Sequence, residues 1–166
     1  MNLVVVTALF FPIPAGSVTG DLCGPIPLRS PIEVLAPSVV SDSLDLKIDV
    51  PAQVRLGESV LITLHVRNTS DRELTLYLRG RTITFDLVIS TPDGTEIWRR
   101  LANEMVPAII RIETLPPGGR LTLEDVWHQR SNESAPVTAG RYRVYGELLT
   151  DGTPLVSQIQ EIDIAP

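Results

Sequence analysis

Nucleophilic catalysis needs a serine or cysteine within reach of a base, most often histidine, that is itself oriented by an acid. The 166-residue chain offers two histidines, His65 and His128, and one cysteine, Cys23. His65 stands on the outward phase of an alternating stretch, between Leu64 and Val66, and His128 follows Trp127 at the end of another. No Gly-x-Ser-x-Gly turn accompanies any serine, so the residues argue against a hydrolase, and the chain reads as a non-enzyme. A lone cysteine excludes an internal disulfide and a cysteine-based zinc site. The spacing of the histidines is no known metal-ligand pattern. Asp93 and Asp151 lie in turns that already account for them, and Glu124 and Asp125 point to opposite faces if they share a strand. With no Gly-rich phosphate loop either, the expectation is no catalytic residue, no metal and no cofactor.

The net charge is −6, with both signs interspersed along the chain. A nucleic-acid backbone would find no basic stripe to hold, so no nucleic-acid partner is expected. Lys47 is the only lysine among the fourteen basic residues. The arginines suit bidentate pairing with carboxylates at strand surfaces.

The elements that would carry any site begin near Leu44. Before it, Leu3 to Ile13 is an apolar run too short to span a bilayer, which takes about 20 residues. It has the length of an export-signal core, and Ala15-Gly16-Ser17 supplies small residues for cleavage, but no Lys or Arg precedes it. A buried strand or an unstructured start is the other reading. Pro25, Pro27, Pro31 and Pro37 then interrupt any helix or central strand, so residues 1–43 read as an apolar, Pro-rich segment and linker. Residues 44–166 read as the domain proper.

From Leu44 the period is two. Leu44, Leu46, Ile48 and Val50 alternate with charged residues; Val60, Ile62, Leu64 and Val66 repeat the pattern, as do Leu74, Leu76 and Leu78. Ile83 to Ser90 reads as a further strand, and Thr91-Pro92-Asp93-Gly94 turns it into Glu96 to Arg99. Residues 102–107 fit a short helical turn or a loop. Ile109 to Leu115 and Leu121 to Trp127 flank the turn Pro116-Pro117-Gly118-Gly119. Arg141 to Thr150 and Leu155 to Ile164 form a last pair across Asp151-Gly152. About eight short strands with frequent turns indicate an all-β, immunoglobulin-like antiparallel β-sandwich, with a barrel as the alternative. Trp98 and Trp127 are expected in its core, with exposed anchors for a partner as the other reading. Asn68-Thr69-Ser70 and Asn132-Glu133-Ser134 match the glycosylation pattern but read as turn chemistry.

The order of these motifs resembles the BsuPI-type intracellular proteinase inhibitor family. The residues that carry the likeness are Leu61 to Asn68 closing in Asn-Thr-Ser-Asp, Phe85-Asp86-Leu87 leading to Pro92-Asp93-Gly94, and Glu96-Ile97-Trp98. Leu115-Pro116-Pro117-Gly118, Trp127 and Gly140-Arg141-Tyr142-Arg143-Val144 complete it. The resemblance implies a sandwich that inhibits serine proteases inside bacteria. In such a fold the loop after the second strand and the loop before the last lie at one end. The expected partner-binding residues are therefore Asn68, Thr69, Ser70, Asp71 and Arg72, with Thr150, Asp151, Gly152 and Thr153; Arg72 suits a trypsin-like pocket. The other reading is a non-inhibitory module for adhesion or assembly, at the cell surface or in the periplasm. The resemblance implies a cytoplasmic protein, whereas an export signal within residues 1–17 would carry it out of the cell. A protein partner, no membrane-spanning segment and a monomer or weak dimer complete the expectation, since sheet edges can self-pair.

Overall fold

In the computed structural model, residues 42–166 are described, and they form eleven strands. The apolar and Pro-rich expectations for the segment before them, Cys23 included, fall outside the described residues. The strands are β1 (Leu44–Asp49), β2 (Gln53–Arg55), β3 (Val60–Asn68), β4 (Leu74–Arg79), β5 (Phe85–Ser90) and β6 (Glu96–Arg99). They continue with β7 (Ile110–Leu115), β8 (Arg120–Trp127), β9 (Gly140–Leu148), β10 (Leu155–Val156) and β11 (Gln160–Ala165).

Two sheets stack face to face. One has the order β1-β3-β8; the other has the order β2-β11-β9-β5-β6, with β10 also on β9. Strands β4 and β7 make a separate two-stranded ribbon. All pairings are antiparallel except β2 with β11. This is an immunoglobulin-like sandwich. The alternating residues explain it: Leu44, Leu46 and Ile48 of β1 and Val60, Ile62, Leu64 and Val66 of β3 are all buried, while Lys47 and His65 between them are exposed. Val50 is half-buried, past the end of β1.

With no disulfide, aromatic packing takes the centre. Trp127 is fully buried, and its ring meets Tyr142 edge-on, centroids 5.9 Å apart at 65°. The Trp127 indole donates to the Arg130 carbonyl at 2.9 Å. Tyr142 donates its hydroxyl to the Thr138 carbonyl at 2.8 Å, a bond from an early strand position back to the preceding corner that recurs in immunoglobulin-type sandwiches. Trp98 packs half-buried against the same core. At the β5–β6 turn the Asp93 carboxyl is held below its usual range by hydrogen bonds from the Thr91 hydroxyl and the Thr95 amide.

The structure departs from strict alternation in β5, buried at all six positions, and again in the last strand. Leu155 to Ile164 is two strands, not one, because the register on β9 slips by one residue between Val156 and Gln160. Ser157 occupies the slip: its hydroxyl accepts from the Gly146 amide at 2.9 Å, replacing a backbone acceptor. The short β2 was not legible in the alternation either; three residues give too little pattern to register. Residues 102–107 contain turns and loop only.

Gly146 lies under β3. A Cβ there would stand 2.9 Å from Leu64 Cδ1 and 3.1 Å from Cδ2, and Leu64 is fully enclosed. Gly146→Ala is expected to cost about 1–2 kcal/mol, the usual penalty for one methyl too many in a packed core. Urea unfolding measures it; an unchanged midpoint would mean that Leu64 has room to turn away.

Candidate functional site

Strands β3 and β9 both run away from the end of the sandwich that holds Arg55, Gln129 and Ala165. There Gln129 donates to the Arg55 carbonyl at 2.8 Å, Arg55 pairs with Ala165, and Ile164 pairs with Gly140. The Asn68 end of β3 and the Leu148 end of β9 therefore share the opposite end, and β4 joins them. Asn68 is hydrogen-bonded beside the start of β4; Asp151 donates its amide to the Tyr77 carbonyl at 2.9 Å, and Thr150 bridges Leu78 near the end of the strand. The two loops are separated along β4 by the run from Leu74 to Leu78, about 13 Å of extended chain. Among the described residues no hydrogen bond or ion pair joins one loop to the other.

Asn68 is fully buried and organises the first loop from within. Its Nδ2 donates to the carbonyls of Arg72 at 2.7 Å, Leu115 at 2.9 Å and Pro116 at 3.1 Å. Its Oδ1 accepts from the Ser70 amide at 2.9 Å and the Ser70 hydroxyl at 2.7 Å. The Ser70 hydroxyl also reaches the Arg72 carbonyl at 2.9 Å. Around this anchor Thr69, Asp71 and Arg72 are exposed. The Arg72 guanidinium lies 3.7 Å from Asp71, with side-chain exposures of 87% and 95%, so water screens the pair and leaves Arg72 free for another carboxylate. The second loop is held only by local bonds: Thr150 Oγ1 donates to the Thr153 carbonyl and accepts from the Gly152 amide. Asp151, Gly152 and Thr153 are exposed.

Three further clusters escaped the sequence reading. Asp86, 3% exposed on β5, accepts from Arg99 Nη1 at 2.6 Å, and Glu96 and Glu147 also reach that guanidinium. Burial opposes the charge of Arg99, but the hydrogen bonds it donates to Glu96 and Asp86 outweigh that and raise the guanidinium pKa. An aspartate inside the apolar run Phe85 to Ile89 was the available signal. Arg100 caps the Phe85 ring, 4.3 Å from its centroid, and binds Asp125 at 2.5 Å. Ser59 Oγ lies 3.0 Å from His128 Nδ1 at the rim of an open cleft of about 340 Å³. Both residues are exposed, and among the described residues no carboxylate hydrogen-bonds that ring, so the pair lacks the acid that would orient a catalytic base.

Both Asn-x-Ser motifs are consumed by backbone bonding. Asn132 caps the outer edge of β6, donating to the Arg99 carbonyl at 2.9 Å and accepting from its amide at 2.8 Å. The Asn68 amide is spent as described above.

The family model for the BsuPI intracellular proteinase inhibitor matches residues 47–153, more than half of the chain. No curated protein sequence matches. Among solved structures, a β-glucosidase from Listeria innocua in complex with glucose is 14% identical at a TM-score of 0.42, covering 74% of this chain and 16% of its own. An alkylpurine DNA glycosylase from Pseudomonas fluorescens is 18% identical at 0.42, over 75% of this chain and 31% of its own. A CARDB domain from Pyrococcus furiosus in complex with di-metal ions is 14% identical at 0.41, over 74% of this chain and 87% of its own. The chain thus spans under a third of the two enzymes it partly matches, and a likeness of this degree carries no argument.

Proposed function

The chain belongs to the BsuPI family of intracellular proteinase inhibitors, and from that premise we propose that it seats its Asn68–Arg72 loop in the cleft of a serine protease. Arg72 enters a trypsin-like specificity pocket. Membership of the family supports an inhibitor-like role, which requires no catalytic machinery of its own.

The observation that supports the finer reading is the buried Asn68 amide. An extended loop that must order itself on binding loses affinity to conformational entropy. Here five hydrogen bonds from one side chain hold the loop before any partner arrives. They also tie down the Arg72 carbonyl, which accepts from Asn68 Nδ2 and has the Ser70 hydroxyl 2.9 Å away. A protease would receive the guanidinium while the adjoining carbonyl stays turned into the loop, away from an oxyanion hole. That separates an inhibitor from a substrate. Thr150, Asp151, Gly152 and Thr153, about 13 Å along β4, fall within the footprint of one ordinary interface and form its rim.

The test is titration of trypsin-like, chymotrypsin-like and elastase-like proteases with the purified full chain. Inhibition of the trypsin-like enzyme is expected, without cleavage after Arg72. Arg72→Ala is expected to raise the inhibition constant about a hundredfold, the loss of one charged anchor in a pocket. Unchanged protease rates at micromolar chain, or equal inhibition by Arg72→Ala, would overturn the proposal.

A further inference from the structure

The β4–β7 ribbon presents a second recognition surface. Among the described residues β7 is paired with β4 alone. Other sheet edges carry devices against self-pairing: Asn132 caps β6, and charged residues punctuate β1 (Asp45, Lys47, Asp49) and β8 (Arg120, Glu124, Asp125). Strand β7 carries one charge of each sign, Arg111 and Glu113, and on its other face turns Ile110 and Ile112 to solvent, 45% and 61% exposed, beside Tyr77 of β4 at 48%.

The phase of its hydrogen bonds is fixed. Arg79 donates its amide to Leu149 and Tyr77 accepts from Asp151, so these two residues point their backbone away from β7. Leu76 and Leu78 must then bond Glu113 and Arg111, their register partners. It follows that Ile110, Ile112 and Thr114 aim their amides and carbonyls at the free edge.

We propose that two copies of this chain join through antiparallel β7 strands across a two-fold axis at Ile112, making one β4-β7-β7-β4 sheet. With Ile112 opposite Ile112, Ile110 falls opposite Thr114, and every outward-pointing amide of the three residues meets a carbonyl. Arg111 of each copy then lies opposite Glu113 of the other. Within one chain the two already attract, Arg111 Nε lying 3.0 Å from Glu113 Oε2. Slipping by one residue points the donors the wrong way. Sliding the two-fold axis by one residue along β7 restores their phase but sets Arg111 against Arg111 or Glu113 against Glu113, and like charges directly opposite destabilise a pair. Charge and hydrogen-bond phase thus select one register, and the occupant they fit is a second copy.

Sedimentation of the full chain between about 1 µM and about 1 mM, the range of weak to moderate association, provides the test. A monomer–dimer equilibrium is expected. Ile112→Pro removes a free-edge amide and no internal hydrogen bond, so it should stay folded by circular dichroism and become monomeric. Arg111→Glu and Glu113→Arg should each be monomeric alone, and mixing the two should restore the dimer, because every charge then faces its opposite. A wild-type chain that stays monomeric at millimolar concentration overturns the proposal and leaves the edge to an extended segment of another protein. A dimer that survives Ile112→Pro and both charge reversals overturns it equally. Neither result bears on protease inhibition, which is read separately.

Discussion

Asn68→Ala should lower the unfolding free energy by about 3–4 kcal/mol, with the Asn68–Arg72 loop loosening in the same variant. The substitution removes the donor that serves the Arg72, Leu115 and Pro116 carbonyls and the acceptor that serves Ser70. Leu115 is only 3% exposed, so water cannot readily replace the amide at its carbonyl. Each buried group left without a partner costs about 1–3 kcal/mol, and the carbonyls nearer solvent recover part of theirs. Asn68→Asp is no rescue, since it keeps the acceptor and sets a carboxylate against three carbonyl oxygens. Urea unfolding reads the stability. Hydrogen exchange reads the loop: the Ser70 and Arg72 amides should exchange faster under conditions where the β5 amides remain protected. A loss below about 1 kcal/mol with unchanged loop exchange would show that Asn68 is not the anchor.

A comparable loss is expected at Asp86. Asp86→Ala strips the buried partner from Arg99 and the acceptor from the Leu101 amide, which Asp86 Oδ1 binds at 3.0 Å. Breaking a buried ion pair on one side typically costs about 3–5 kcal/mol. Glu96 and Glu147 still reach the Arg99 guanidinium, which places the expected cost near the lower bound, about 3 kcal/mol. Asp86→Asn should cost less, because an amide oxygen can still accept from Leu101. The double variant Asp86→Ala, Arg99→Ala should be less destabilised than the two single costs summed, since no buried charge is left alone. Additive costs in that cycle would mean the two residues act independently, against the geometry.

Lys47 and His65 were legible as outward-facing residues because alternation in β1 and β3 has only one way to bury its apolar half. Leu74 to Leu78 was legible for the same reason, and Glu96 to Arg99 as the return from the Thr91–Gly94 turn; that turn and Asn68–Asp71 were legible because side chains there bond their own backbone. The family likeness rested on the order of those same elements. Legibility failed wherever the partner was distant in sequence. Nothing near Asn68 announces that its amide reaches Leu115 and Pro116, 47 and 48 residues on. Ser157 breaks the last strand only because Gly146 lies across from it. The aspartate within β5 could be seen, but not the three-carboxylate setting that Arg99 draws together from β5, β6 and β9.

Sequence alone therefore determined the class of fold and the outward-facing residues of β1 and β3, because both follow from a period of two and from turn chemistry, which are local. Tertiary structure decided that Asn68 is an internal anchor while Arg72 is displayed, that both loops attach to β4, and that among the described residues β7 is paired on one side only. Those outcomes depend on which strands become neighbours, and burial selects that arrangement only after the whole chain has closed on its core.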